Sequence, residues 1–256
     1  MVQPQLRQPS RDAQTTTAGL GLLHALLGHY ARLLWDLQKA RIAMTHRAAA
    51  MERDGLALEW RLPLITAASD LKAQEHAVDL QLRRLARQHF LAGWVRRAPG
   101  IGLPGFARLV AITGSLDRFG NPAKLWKYLG MHVADGTAPR RRRGQRANFS
   151  PQGRVVCHQL GDSISKLKPG NGPYRAAYDR KKAEYLARPR GGPSACPFGQ
   201  THTNRQGEPV QCGRMHAHVA AMRYAVKVLL RDLWVAWRTY GPVGVGVADA
   251  APGRSS

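Results

Sequence analysis

Residues 99–130 read PGIGLPGFARLVAITGSLDRFGNPAKLWKYLG, and their punctuation decides the fold class. Pro99-Gly100-Ile101-Gly102 lies between two helically patterned segments, the layout of a helix-hairpin-helix. Gly100 and Gly102 let the backbone turn tightly, so that its N–H groups can approach a phosphate. Pro104 fits the first turn of the next helix, where its missing N–H costs nothing, and Gly114 can end it. Asn121 as N-cap, Pro122 at the first position and Gly130 past the end mark a further helix, which carries Lys124 and Lys127. An ordinary helix–helix turn is the alternative to a phosphate cradle.

Directly downstream, residues 131–146 read MHVADGTAPRRRRGQR, and no Asp or Glu occurs between Asp135 and Asp162. Arg140, Arg141, Arg142, Arg143 and Arg146 alone would suit a solvated loop. Beside a candidate phosphate turn they make nucleic acid the leading partner. The whole chain agrees: 256 residues carry a formal charge of +23 with a pI near 11.2. Such a field favours polyanions, double-stranded DNA first and RNA as the alternative. At 44% hydrophobic residues the chain can build a core, which excludes wholesale disorder. No membrane partner is expected, because the apolar stretch from Ala18 to Trp35 is interrupted by His24, His29 and Arg32. The first residues lack a secretory layout, and three cysteines fit a reducing compartment. A cytoplasmic, nucleoid-associated protein is expected.

Working outward, residues 1–17 and 241–256 lack periodicity and are expected to be disordered tails. From 18 to 98 the pattern is that of a helical hairpin or coiled coil. Leu23, Leu26, Leu27, Tyr30, Leu33, Leu34 and Leu37 share one helical face. Gly55 and Pro63 bound a break, and a second helix is predicted from about Leu64 to Ala98. In it Leu64, Ala68, Leu71, Glu75, Val78, Leu82 and Leu85 recur at heptad spacing. That seam suits antiparallel pairing within the chain, or a homo-oligomer formed through the coiled coil. Residues 99–240 form the expected DNA-binding domain. Ser150 and Pro151 start one helix and Pro173 another, the latter bearing Tyr174, Tyr178 and Tyr185 among cations, placed to stack on bases or simply to pack. A last helix runs from about Met215 to Tyr240. With no strand-rich region, the fold is predicted to be mainly α.

Residues 188–214 form a loop that is long for a compact domain. Cys196, His202, Cys212 and His216 give the spacing Cys-x5-His-x9-Cys-x3-His, with His218 as a substitute ligand. Thiolate and imidazole suit a closed tetrahedral Zn²⁺ site, which could order a loop poor in apolar residues. A loop with two free thiols is the alternative.

The order PGIG, short helix, Gly114-Ser115 with Phe119, KLWKYLG, basic loop and Gly-Arg-containing helix resembles a known domain. It is similar to the C-terminal transposase domain of the DEDD-type insertion-sequence transposases, the IS one-ten group of bridge-RNA-guided recombinases. The likeness covers roughly 94–168 and continues more loosely through 174–185 and 218–234. It implies a role in DNA transposition or site-specific recombination, with a guide RNA as a further partner and a coiled coil ahead of the domain. Family members also carry an N-terminal nuclease domain whose four acidic residues bind divalent metal. Here Asp12, Asp36, Glu52, Asp54 and Glu59 stand in no strand-like context, so the nuclease domain is expected to be absent and Mg²⁺ is not expected as a cofactor. The family's nucleophilic serine lies in the loop after the YLG helix. In this chain the hydroxyl there is Thr137, whose extra methyl hinders attack on phosphorus. Whether the chain is a recombinase or a non-catalytic DNA- or RNA-binding protein on the same domain stays open.

Overall fold

The computed structural model describes residues 17–133, 138–139, 144–187, 203, 206–208 and 214–241. Among them the secondary-structure elements are helices, in the order α1 (Thr17–Arg53), α2 (Leu58–Arg87), α3 (Ala92–Arg97), α4 (Gly102–Thr113), α5 (Pro122–Tyr128), α6 (Pro151–Ser165), α7 (Pro173–Ala187) and α8 (Arg214–Tyr240). A one-turn 3-10 helix at Leu116–Arg118 precedes α5. No helix among the described residues is long and apolar enough to cross a membrane. The expected tails at 1–17 and 241–256 fall, apart from Thr17 and Gly241, outside the described residues.

Helices α1 and α2 pair antiparallel. Three cross-links run in opposite order along the two helices: Arg61 to Glu52 at 2.6 Å, Arg41 to Glu75 at 2.5 Å, and His24 to His89, just past α2, at 3.2 Å. The polar interruption at Glu75 in the heptad seam is thus matched by a guanidinium from the opposite helix. Both helices also pack on α4. One continuous core therefore runs from Leu20, Leu27 and Leu34 of α1 through Leu82, Phe106 and Leu160 to Leu229 and Trp237 of α8. Burying each such side chain is worth about 1.5–3 kcal/mol, which is what holds the hairpin to the rest of the fold.

Two predicted boundaries move. The second helix starts at Leu58, with Pro63 inside it. Proline lacks the N–H that would reach the Glu59 carbonyl, but this stretch is exposed and water can serve that carbonyl. The same helix ends at Arg87, well before Ala98. There the His89 imidazole accepts the Leu91 N–H at 3.1 Å, diverting that donor from the helical ladder, and the chain turns into α3.

The other punctuation acts as read. Asn121 caps α5 by accepting the Lys124 N–H at 3.0 Å, and Ser150 caps α6 by accepting from Gly153 at 3.0 Å. Gly114 and Gly130 end their helices at φ 62° and 68°. Three indole N–H groups then tie the 3-10 helix and α5 into the core. Trp126 donates to the Lys227 carbonyl at 3.2 Å, Trp234 to the Phe119 carbonyl at 2.8 Å and Trp237 to the Asp117 carboxylate at 3.1 Å. These bonds fix the segment that leads into the basic loop against α8.

Candidate nucleic-acid interface

The glycine turn comes first. Gly100 has φ 94°, and a Cβ there would stand 2.6 Å from Ile164 Cγ1 of α6. Ile101 is only 4% exposed, so its side chain serves the core and any contact with nucleic acid falls to its backbone. Gly102 is exposed at φ 56°. The fold itself thus demands a glycine at position 100. A cavity of about 720 Å³ opens at this turn, lined also by Lys72, Glu75, Asp79, Arg83 and Arg108. Its charges are mixed: Asp79 takes Arg83 at 2.7 Å and Arg108 at 3.8 Å. Carboxylates beside the turn weaken its pull on a phosphate.

A second cavity, of about 310 Å³, lies between α6 and α8 and reaches the segment after α5. Met131, Val133, Cys157, Val219 and Met222 supply apolar wall, and Arg154, Arg223 and Lys227 supply charge. No carboxylate lines it among the described residues. The three cations converge because α6 and α8 pack closely: a Cβ on Gly161 would lie 3.1 Å from Met222 Cβ. Arg223 and Lys227 are one turn apart on α8, and Arg154 sits in the first turn of α6.

Each cation is held in place. Arg223 donates to the carbonyls of Gly130 at 3.4 Å and His132 at 3.2 Å, and Arg154 donates to the Pro139 carbonyl. Lys227 Nζ lies 5.5 Å from the centre of the Trp126 ring. A guanidinium has five N–H donors in a fixed fork, so an arginine anchored at one edge can still offer another to an anion. Crowding is evident in the ionisation. Burial first, and Arg154 second, hold Arg223 below its usual range; burial and then Arg223 do the same for Lys227. His132 is lowered by burial and then by Lys127, Arg223 and Lys227, with a hydrogen bond to the Lys127 backbone opposing them, and its buried Nδ1 has no hydrogen-bond partner among the described residues. An anion placed among these groups would relieve repulsion that no carboxylate among the described lining residues offsets.

Other sequence-predicted residues surround or miss this cavity. Lys124 and Lys127 are exposed on α5, and Arg146 is exposed beyond the basic run. Arg140, Arg141, Arg142, Arg143 and Thr137 lie outside the described residues, as do Cys196, His202 and Cys212. His216 is half-buried at the start of α8 and lines the cavity. His218, the substitute ligand, shares a hydrogen bond of 2.7 Å between its Nδ1 and the Tyr178 hydroxyl. No group of three or more metal-ligating side chains occurs among the described residues. Of the three tyrosines on α7, Tyr174 and Tyr178 are buried at 4% and 3% exposure and act in packing. Tyr185 instead lines the cavity with Tyr224, and Lys181 Nζ lies 5.2 Å from each ring centre.

Arg154, Arg223 and Lys227 are not singled out by the sequence. The available signal is Arg223 and Lys227 at four-residue spacing off the apolar stripe of the last helix, with Gly161 marking a close helix contact. Comparison with protein-family models and with curated proteins returns no match for the chain.

Proposed function

We propose that this chain is a transposase-type nucleic-acid-binding protein that takes part in DNA transposition or site-specific recombination. Duplex DNA is contacted through the cation-lined cavity between α6 and α8, the exposed lysines of α5 and the arginines that follow. The observation that carries this reading is the convergence of Arg154, Arg223 and Lys227 on one cavity with no carboxylate in its described lining. A charge of +23 over the chain supports the same polyanion. The assignment to transposition rests on the resemblance of 94–168, and the cavity is lined by Val133 and Ala138, the described residues on either side of Thr137 in sequence. A guide RNA and self-association through the α1–α2 hairpin belong to the same proposal. So does structural zinc at Cys196, His202, Cys212 and His216.

A second reading, a non-catalytic DNA- or RNA-binding protein, is favoured by one sequence observation. Between Met131 and Arg146 the hydroxyl side chain is a threonine, Thr137, and not a serine. Two assays separate the readings. Anisotropy titrations of duplex DNA and structured RNA test binding, and replacing Arg140–Arg143 with alanine is expected to weaken it. Incubation with supercoiled plasmid, followed by denaturing gels for a covalent adduct, tests strand cleavage. An adduct lost in Thr137→Ala supports the recombinase; no adduct, with binding intact, supports the second reading. Failure to bind either nucleic acid at low salt overturns both.

A further inference from the structure

The cavity between α6 and α8 has features that phosphate binding does not use. A site for phosphates alone needs cations and N–H donors, and has no use for an apolar or aromatic wall. This one is concave, and besides its cations it is lined by Met131, Val133, Val219 and Met222 and by Tyr185 and Tyr224. Its volume of about 310 Å³ stands at the lower end of the range for small-ligand pockets, roughly 300–1,000 Å³. Lys181 lies against both tyrosine rings, 5.2 Å from each centre, and so steadies them. The imidazoles of His158 and His216 also line it. An apolar, aromatic-walled recess beside cations has the chemistry of a nucleobase joined to its phosphates.

We infer that this cavity receives one unstacked nucleobase, while the flanking phosphates rest on Arg154, Arg223 and Lys227. The inference depends on the nucleic-acid reading above and narrows it to a substrate class: DNA or RNA with a base free of its stack. A regular duplex cannot fill the recess, since its bases are stacked and paired. It meets the cations with its backbone alone. A bulged, mismatched or single-stranded segment offers its base without the cost of unpairing. The aromatic wall accepts any base by its face, so little sequence preference is expected.

The test uses the full chain and three fluorescent probes of matched length: a perfect duplex, the duplex with a one-nucleotide bulge, and the same bulge carrying an abasic residue. The two bulged probes share phosphates and flexibility and differ in the base. Anisotropy titration is expected to show the base-bearing bulge bound about tenfold more tightly than the abasic one, the scale of one base–aromatic stack. Ala220→Phe, which fills the cavity, is expected to erase the difference between those two probes. Equal affinity of the wild-type chain for both bulged probes overturns the base site while leaving the phosphate contacts standing. No binding to any of the three at low salt overturns the nucleic-acid reading itself.

Discussion

Mild acid is expected to destabilise this protein through a buried histidine pair. His89 is 2% exposed, and its ring packs on Phe90, Phe106 and Trp237 at centroid distances of 4.3, 4.9 and 5.1 Å. Its Nδ1 accepts the Leu91 N–H, so in the neutral ring the proton belongs on Nε2 and is donated to His24 Nε2, 3.2 Å away. A second proton has no place to go. Burial first, then His24, push the His89 pKa from 6.5 down to about 3. The unfolded chain binds a proton there near pH 6.5 and the folded chain only near 3, so the unfolded state gains protons first as pH falls. Stability is therefore full above 6.5, declines through the window from 6.5 to 3, and has lost its whole contribution below it. At about 1.4 kcal/mol per pH unit, the loss from His89 between pH 7 and pH 5 is about 2 kcal/mol. His24 is lowered too, chiefly by burial, and adds in the same direction. The perturbation that isolates this effect is His89→Asn. An asparagine oxygen can still accept the N–H two residues on, while nothing titrates. The variant is expected to lose about 2 kcal/mol or more at pH 7 from the cavity it leaves. Its further loss on going to pH 5 should be smaller than that of the wild type by about 2 kcal/mol. Equilibrium urea unfolding at both pH values reads this directly. An equal pH 7-to-5 loss in both proteins refutes the buried-histidine argument.

Two further outcomes follow from local geometry. Gly100→Ala combines φ 94° with a Cβ 2.6 Å from Ile164, whereas Gly170→Ala meets φ 80° with nothing within 4 Å. The first is expected to cost about 2 kcal/mol more than the second in urea unfolding, and equal costs would remove the packing argument for the hairpin glycine. Cys157 is buried, and burial pushes its thiol up to about 12. Mass-mapped alkylation at pH 8 is expected to leave Cys157 unmodified in the native protein and to modify it in urea; rapid native labelling would contradict its place in the core.

The helices were legible because their boundaries are written locally. Asn121-Pro122, Ser150-Pro151 and Pro173 specify starts, and Gly114 and Gly130 specify ends, through side chains and backbone freedom a few residues away. The end of α2 was not legible, since it depends on an imidazole that takes a backbone N–H only after packing among Phe90, Phe106 and Trp237. The start of α2 was hidden by Pro63, which costs little on an exposed face. The candidate site was half legible. Charge and resemblance pointed to the segment after α5, but the cavity is built by Arg154 from one helix and Arg223 and Lys227 from another. No periodicity links those positions; the tertiary contact at Gly161 does. The glycine turn shows the reverse: a local motif that suggests phosphate binding, in which Gly100 is demanded by Ile164 across the helix contact.

Salt dependence of duplex binding reports directly whether the cations of the α6–α8 cavity contact phosphate. Arg223 holds two carbonyls, those of Gly130 and His132, whereas Arg154 holds that of Pro139, so the variant that disturbs the backbone less is Arg154→Gln with Lys227→Gln. If roughly five phosphates are neutralised, a plot of log affinity against log salt has a slope of about −4 to −5 for the wild type. Removing two contacts is expected to flatten that slope by about 2 in a variant whose urea midpoint is unchanged. A folded double variant with the wild-type slope would show that Arg154 and Lys227 do not contact phosphate.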